Sequence, residues 1–185
     1  MLISASWSTQ AQVTRAVAGG PPGGAIEAIV FDPKDPAVIY GATDWSGVFK
    51  TTDRGENWTA INTGLTKTAV YLSRSTRSAQ PLFYAGTASG VFKTVNAGES
   101  WVSSSSGLPT RIAATIITML VIDPADSQTI YAGSYDRIFK SIDGAKNWIA
   151  IASHPRITQT SSFAALTVDP SPQPPSMQLL RKAGY

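Results

Sequence analysis

The sequence predicts an all-β chain of short antiparallel strands, and three observations carry that prediction. A segment of about forty residues recurs three times along the 185 residues. The 15 glycines and 12 prolines separate runs rich in β-branched and aromatic residues. Each recurring segment also closes with a short polar turn followed by a tryptophan.

The first copy runs Ala28-Ile-Val-Phe-Asp-Pro, Val38-Ile-Tyr-Gly-Ala and Gly47-Val-Phe-Lys-Thr to Trp58. The second has Leu82-Phe-Tyr-Ala-Gly and Gly90-Val-Phe-Lys-Thr to Trp101, and the third Leu120-Val-Ile-Asp-Pro, Thr129-Ile-Tyr-Ala-Gly and Ile138-Phe-Lys-Ser to Trp148. The tryptophans stand 43 and 47 residues apart, and Phe49, Phe92 and Phe139 each precede theirs by nine. Within the first copy, strands are expected over Ile26 to Phe31, Val38 to Ala42, Gly47 to Thr51 and Trp58 to Ile61. One copy is thus one four-stranded antiparallel meander. A lone sheet of this kind leaves both apolar faces wet, so it is stable only when stacked against neighbours, as in a β-propeller.

The predicted architecture is three such blades, about residues 24–66, 67–110 and 111–155, with a fourth begun at 156–170. Residues 1–23 read as the remnant of a preceding blade and 171–185 as an irregular tail. Three blades cannot close a ring of the usual four to eight, so an incomplete or truncated propeller is expected, with self-association through its open blade edges.

The turn reads Thr51-x-Asp53-x-Gly55-x-x-Trp58, then Thr94-x-Asn96-x-Gly98-x-x-Trp101, then Ser141-x-Asp143-x-Ala145-x-x-Trp148. The Asp or Asn side chain caps turn amides, the hydroxyl does the same, and glycine accepts positive φ. The third copy carries Gly144 one place early and Ala145 where glycine belongs, which predicts an altered turn. The pattern resembles the Asp-box of the BNR repeat family, whose propellers occur in xyloglucan-active hydrolases, sialidases, sortilin-type domains and photosystem II assembly-factor-like proteins. The resemblance covers about residues 24–170. It implies that these residues are turn staples between third and fourth strands, away from the ligand face, and it implies an extracellular or periplasmic location. The N-terminus shows neither the basic nor the apolar region of an export signal.

Two stretches break the repeat. Copies one and three place Asp-Pro eight residues before the strand tyrosine, Asp32 before Tyr40 and Asp123 before Tyr131, whereas the second reads Leu72-Ser-Arg-Ser-Thr-Arg-Ser-Ala-Gln-Pro81. A one-base shift of a permissible codon set converts this decapeptide to Ser-Leu-Ala-Ile-Asp-Pro-Leu-Ser-Pro-Thr, with its Asp-Pro in register. The tail after Pro170 likewise regains a strand pattern in a shifted frame. A compensated frameshift over 72–81 and an uncompensated one near 171 are therefore expected.

The net charge of +3 depends on those stretches. Without Arg74, Arg77, Arg181 and Lys182, 11 basic residues face 12 acidic ones. No basic stripe with interleaved aromatics remains to suggest a nucleic acid. With no cysteine and one histidine, His154, neither disulfide nor zinc chemistry is expected, and no metal or other cofactor is implied. No apolar run is long enough for a membrane span.

In a propeller the loops between second and third strands face the ligand side. Here they pair an aromatic with an aspartate twice, Asp44-Trp45 and Tyr135-Asp136, the latter followed by Arg137. An aromatic face beside a fixed acceptor is a sugar platform. Asp44 and Asp136 also have the residue type of a glycosidase carboxylate pair, which needs a defined separation. A sialidase needs an arginine cluster, and Arg111, Arg137 and Arg156 are dispersed. The expected function is a non-catalytic binding or assembly module with a glycan or protein partner. The alternatives are a fragment of a secreted glycoside hydrolase, xyloglucanase- or sialidase-like, and a truncated, non-functional reading frame.

Overall fold

The structure, a computed structural model, describes residues 20–32, 34–66, 70–74, 82–109, 116–153, 163–168 and 177–181. They form an all-β chain of three four-stranded antiparallel sheets and one two-stranded sheet. The first sheet comprises β1 (Ile26–Phe31), β2 (Ile39–Thr43), β3 (Gly47–Thr51) and β4 (Thr59–Ala60). The second comprises β5 (Val70–Arg74), β6 (Phe83–Thr87), β7 (Gly90–Thr94) and β8 (Val102–Ser103). The third comprises β9 (Met119–Ile122), β10 (Ile130–Gly133), β11 (Arg137–Ser141) and β12 (Ile149–Ser153). Finally β13 (Phe163–Val168) pairs with β14 (Met177–Arg181). Strand order is sequential in every sheet. The first strands follow one another, β1 beside β5, β5 beside β9 and β9 beside β13, the arrangement of propeller blades about an axis.

Strand alternation sends successive side chains to opposite faces, so each blade feeds two cores. Tyr40, Ala42 and Val48 of blade one meet Phe83, Ala85, Phe92 and Trp101 of blade two. Tyr84 and Val91 of blade two meet Ile130, Ala132, Phe139 and Trp148 of blade three. Tyr131 of blade three meets Val168 of β13. The tyrosine at the same repeat position therefore always faces the next blade. Its neighbour on the adjacent strand is a lysine whose stem covers the ring, with Lys93 Nζ lying 5.4 Å from the Tyr84 centroid. Burial pushes the Tyr84 hydroxyl up to about 12 and lowers Lys93, and both donate to the Gly144 carbonyl, at 3.3 and 3.0 Å.

Three expectations from the repeat change. The third turn is not altered: Gly144 (φ 70°) and Ala145 (φ 67°) are successive left-handed residues, as are Arg54-Gly55 and Ala97-Gly98. A Cβ on Gly144 would stand 2.9 Å from Gln128 Oε1 and 3.4 Å from Lys93 Nζ, the movable ends of two long side chains. Within the stretch read as lacking an apolar strand, residues 72–74 belong to β5, with Leu72 opposite Ala85, while 75–81 lie outside the described residues. Within the stretch read as an irregular tail, 177–181 form β14, pairing Met177 with Val168.

Candidate functional site

Each blade has two chemically distinct turns. Between third and fourth strands, the Thr51 hydroxyl is buried, accepts from Gly55 N–H at 3.0 Å and donates to Asp53 Oδ1 at 2.6 Å. Asp53 accepts from Asn57 twice, Oδ1 from the amide N–H at 2.9 Å and Oδ2 from Nδ2 at 2.7 Å. Ser141, Asp143 and Asn147 repeat the arrangement, with Ala145 N–H on Ser141 Oγ at 3.0 Å. In blade two the polarity at the fourth position reverses, because Asn96 carries donors: its Nδ2 donates to Ser100 Oγ at 3.0 Å. The Thr51 hydroxyl and then the Asn57 donors hold Asp53 down at about 2. Asn147, then Ser141, hold Asp143 at about 2. These carboxylates are solvent-facing staples, with both oxygens of each engaged by donors of their own turn.

The loops between second and third strands are stapled by a different residue. Thr43 Oγ1 donates to Gly47 O at 3.1 Å and accepts from Ser46 N–H at 3.0 Å. Thr87 does the same with Gly90 and Ser89, and Ser134 Oγ accepts from Arg137 N–H at 3.1 Å. The blade junction then caps the loop from outside. Asn62 Oδ1 accepts from Val48 N–H at 2.7 Å and its Nδ2 donates to Ser46 O at 3.0 Å, and Ser105 Oγ takes the place of Asn62 by accepting from Val91 N–H at 2.9 Å. The sequence places these residues in the loops and junctions of the ligand side without showing that they staple them, although the repeat marks them: Thr43, Thr87 and Ser134 each follow the strand tyrosine by three.

On this rigid frame the two aromatic–acid pairs differ. In blade three, Asp136 accepts from Ser134 Oγ at 3.0 Å and pairs with Arg137 Nε at 3.5 Å, while Tyr135 is 44% exposed. In blade one, Trp45 is 75% exposed, and Asp44 Oδ1 is buried without a hydrogen-bond partner, alone in this among the described side-chain polar atoms. The Gly23-Gly24 segment lies over this loop in left-handed conformation (φ 93° and 112°). A Cβ on Gly24 would overlap Asp44 Oδ1, and one on Gly23 would overlap the Ser46 side chain. Thus Asp136, Arg137 and Tyr135 come together in one loop and Asp44 with Trp45 in another. The blade-two loop between them, Ala88-Ser89, carries neither carboxylate nor aromatic ring. Among the described residues no three His, Cys, Asp or Glu are grouped to hold a metal ion, and no helix is long and apolar enough to cross a membrane.

The stacked four-stranded antiparallel sheets define the chain as β-propeller blades, and solved structures share that architecture. The chain is similar to the GH74 enzyme of Niastella koreensis, with a TM-score of 0.58 and 22% identity, over 77% of this chain and 24% of that one. The GH74 xyloglucanase from Xanthomonas campestris aligns with a TM-score of 0.53 and 18% identity, over 76% of this chain and 25% of that one. YCF48 from Cyanidioschyzon merolae aligns with a TM-score of 0.52 and 14% identity, over 87% of this chain and 57% of that one. The chain spans 18–25% of the length of the GH74 enzymes it matches. At these identities the likeness establishes the fold. No protein-family profile matches the chain, and no curated protein matches it.

Proposed function

We propose that this chain is a non-catalytic binding or assembly module, and that its three Trp-terminated turns are Asp-boxes of the BNR type. Its ligand, a glycan or a protein segment, engages the loops between second and third strands. One observation carries this reading. Asp44 keeps a carboxylate oxygen buried and unbonded next to a tryptophan with three-quarters of its surface in water. Leaving such a group unsatisfied costs about 1–3 kcal/mol, and proteins retain such costs at functional sites. A sugar ring that displaces the Gly23-Gly24 segment brings a hydroxyl donor to the carboxylate and an apolar C–H face to the exposed side of the indole. The test is calorimetric titration of the full chain with xyloglucan oligosaccharides, with sialyllactose as an anionic control. Saturable binding that Trp45→Ala weakens about tenfold or more, a difference of about 1.4 kcal/mol, supports the reading. Binding unaffected by Trp45→Ala or Asp44→Asn contradicts it.

The likeness to a GH74 xyloglucanase favours a second reading, a portion of a glycoside hydrolase in which Asp44 acts as one carboxylate of the pair. Asp136 is the weaker second candidate, because its charge is already committed to Arg137 within its own loop. Release of reducing ends from xyloglucan by the purified chain, abolished by Asp44→Asn, establishes this reading over the first. A chain that yields no folded species on purification points instead to a non-functional reading frame.

A further inference from the structure

The chain that leads into β1, Gly20-Pro21-Pro22-Gly23-Gly24, crosses the loop between β2 and β3 as a strap. Proline fixes φ and has no N–H, whereas glycine bends freely, so the segment combines a stiff centre with a hinge. Gly23 and Gly24 form that hinge, both with positive φ. Pro21 is buried, and its Cγ and the Trp58 ring both lie against Gly41, where a Cβ would stand 3.3 Å from the one and 3.4 Å from the other. Gly24 lies against the Asp44 carboxylate and the Cδ1 edge of the Trp45 indole: a Cβ there would overlap Oδ1 and stand 3.2 Å from Cδ1.

The strap therefore covers the carboxylate without bonding to it. Oδ1 is buried and takes no hydrogen bond, although the Asp44 N–H donates to Ala25 O at 3.1 Å just beyond the hinge. Neither proline has an N–H to offer, and neither glycine turns its own toward Oδ1. The two ends of the strap oppose each other. The buried Pro21 holds it down, and the unmet carboxylate, which water would satisfy, favours lifting it. Blade three is built differently. There the residues entering β9 lie on blade two, with the Ile117 N–H on Thr87 O at 3.0 Å, and Asp136 finds its partners within its own loop.

From this we infer that the strap is an autoinhibitory lid on the Asp44–Trp45 loop, which a ligand must displace to reach the carboxylate. The inference rests on the reading of that loop as the binding site. Closed, the strap occupies the place of the ligand's donor over Oδ1 and one edge of the indole, while most of the ring stays in water as a first point of contact. Opened at Gly23-Gly24, it frees both while β1 stays paired with β2, because the hinge precedes the first paired residue, Ile26. Binding then works against closure, and the observed affinity is the intrinsic affinity reduced by the fraction of open lids. Pro21 sets that fraction.

The test follows the proximity of the Gly24 Hα and Trp45 Hδ1 protons, as a nuclear Overhauser effect in the full chain assigned with a Trp45→Phe variant, while xyloglucan oligosaccharides are titrated in. The expected result is an effect in the free protein that disappears at saturation. Pro21→Ser, which removes the anchor, should weaken the effect without ligand and tighten binding about threefold or more through a larger open fraction. Binding to the wild-type chain that leaves the effect intact overturns the inference while the binding site stands, and this arm needs no variant. A Pro21→Ser chain that keeps the wild-type indole resonances of Trp101 and Trp148 yet binds no better, or more weakly, also overturns it, because the strap is then no lid or is part of the site. Absence of binding by both proteins defeats the reading of the loop and the lid with it.

Discussion

In blades one and three both turns set an aspartate near a strand end, and the chain treats the four carboxylates differently. Asp53 and Asp143 have both oxygens engaged by a hydroxyl, a backbone N–H and an asparagine amide. Asp136 shares its charge between Ser134 and Arg137. Among the described residues, Asp44 alone keeps a side-chain oxygen buried and unbonded. Engagement within its own turn marks a residue whose work is the turn itself; we propose that the unmet acceptor beside an exposed ring marks one whose partner comes from outside.

The largest change is expected where a staple loses its hub. Thr94→Val strips the buried hydroxyl that accepts from Gly98 N–H and orients Asn96. It should cost about 1–3 kcal/mol in urea unfolding, since a buried donor is left unmet. A cost near zero would mean that the turn does not depend on its hydroxyl. At the loop, Asp44→Asn should act with the opposite sign and raise stability by about 1 kcal/mol without ligand, because a neutral amide is cheaper to leave unbonded. Asp136→Asn should lower stability by about 0.5 kcal/mol, the worth of a part-exposed ion pair. Equal signs for the two loop variants would erase the distinction between them.

The smallest effect is acid dependence. Asp53 and Asp143 sit at about 2 in the folded chain against an ordinary value of 3.8. Their stabilising contribution is therefore complete above about pH 5 and is lost progressively as pH falls through 2. Both are solvent-facing, so screening keeps the contribution modest. An Asp53→Asn, Asp143→Asn double variant should show a shallower decline in unfolding midpoint over that window, since the asparagine that blade two carries at position 96 does not titrate. An unchanged slope would assign the acid limb to other carboxylates.

The blades were legible because strand spacing, the tyrosine and the terminal tryptophan repeat in register, and a four-stranded sheet with two apolar faces admits few ways to pack. The third turn was misjudged because glycine is not required at every left-handed position of the turn: Arg54, Ala97 and Ala145 all take positive φ. Residues 72–74 were read as unlike a strand from their polar composition, but pairing with β6 holds them extended. For that stretch, exchanging Leu72–Pro81 for the shifted-frame decapeptide should raise the unfolding midpoint if a frameshift removed a native Asp-Pro turn; a lower midpoint would argue for the residues as they stand. The aromatic–acid loops were found from residue type alone. Their inequality was invisible, because it rests on which hydrogen bonds each carboxylate makes after folding.

The most direct test of the central claim is a pair of calorimetric titrations, wild type and Asp44→Asn, against xyloglucan oligosaccharides, with unfolding midpoints recorded on the same samples. Binding weakened about tenfold or more in a variant that is at least as stable as wild type is the predicted result. Equal affinity for the two proteins, or a loss of affinity that merely follows a loss of stability, would contradict it.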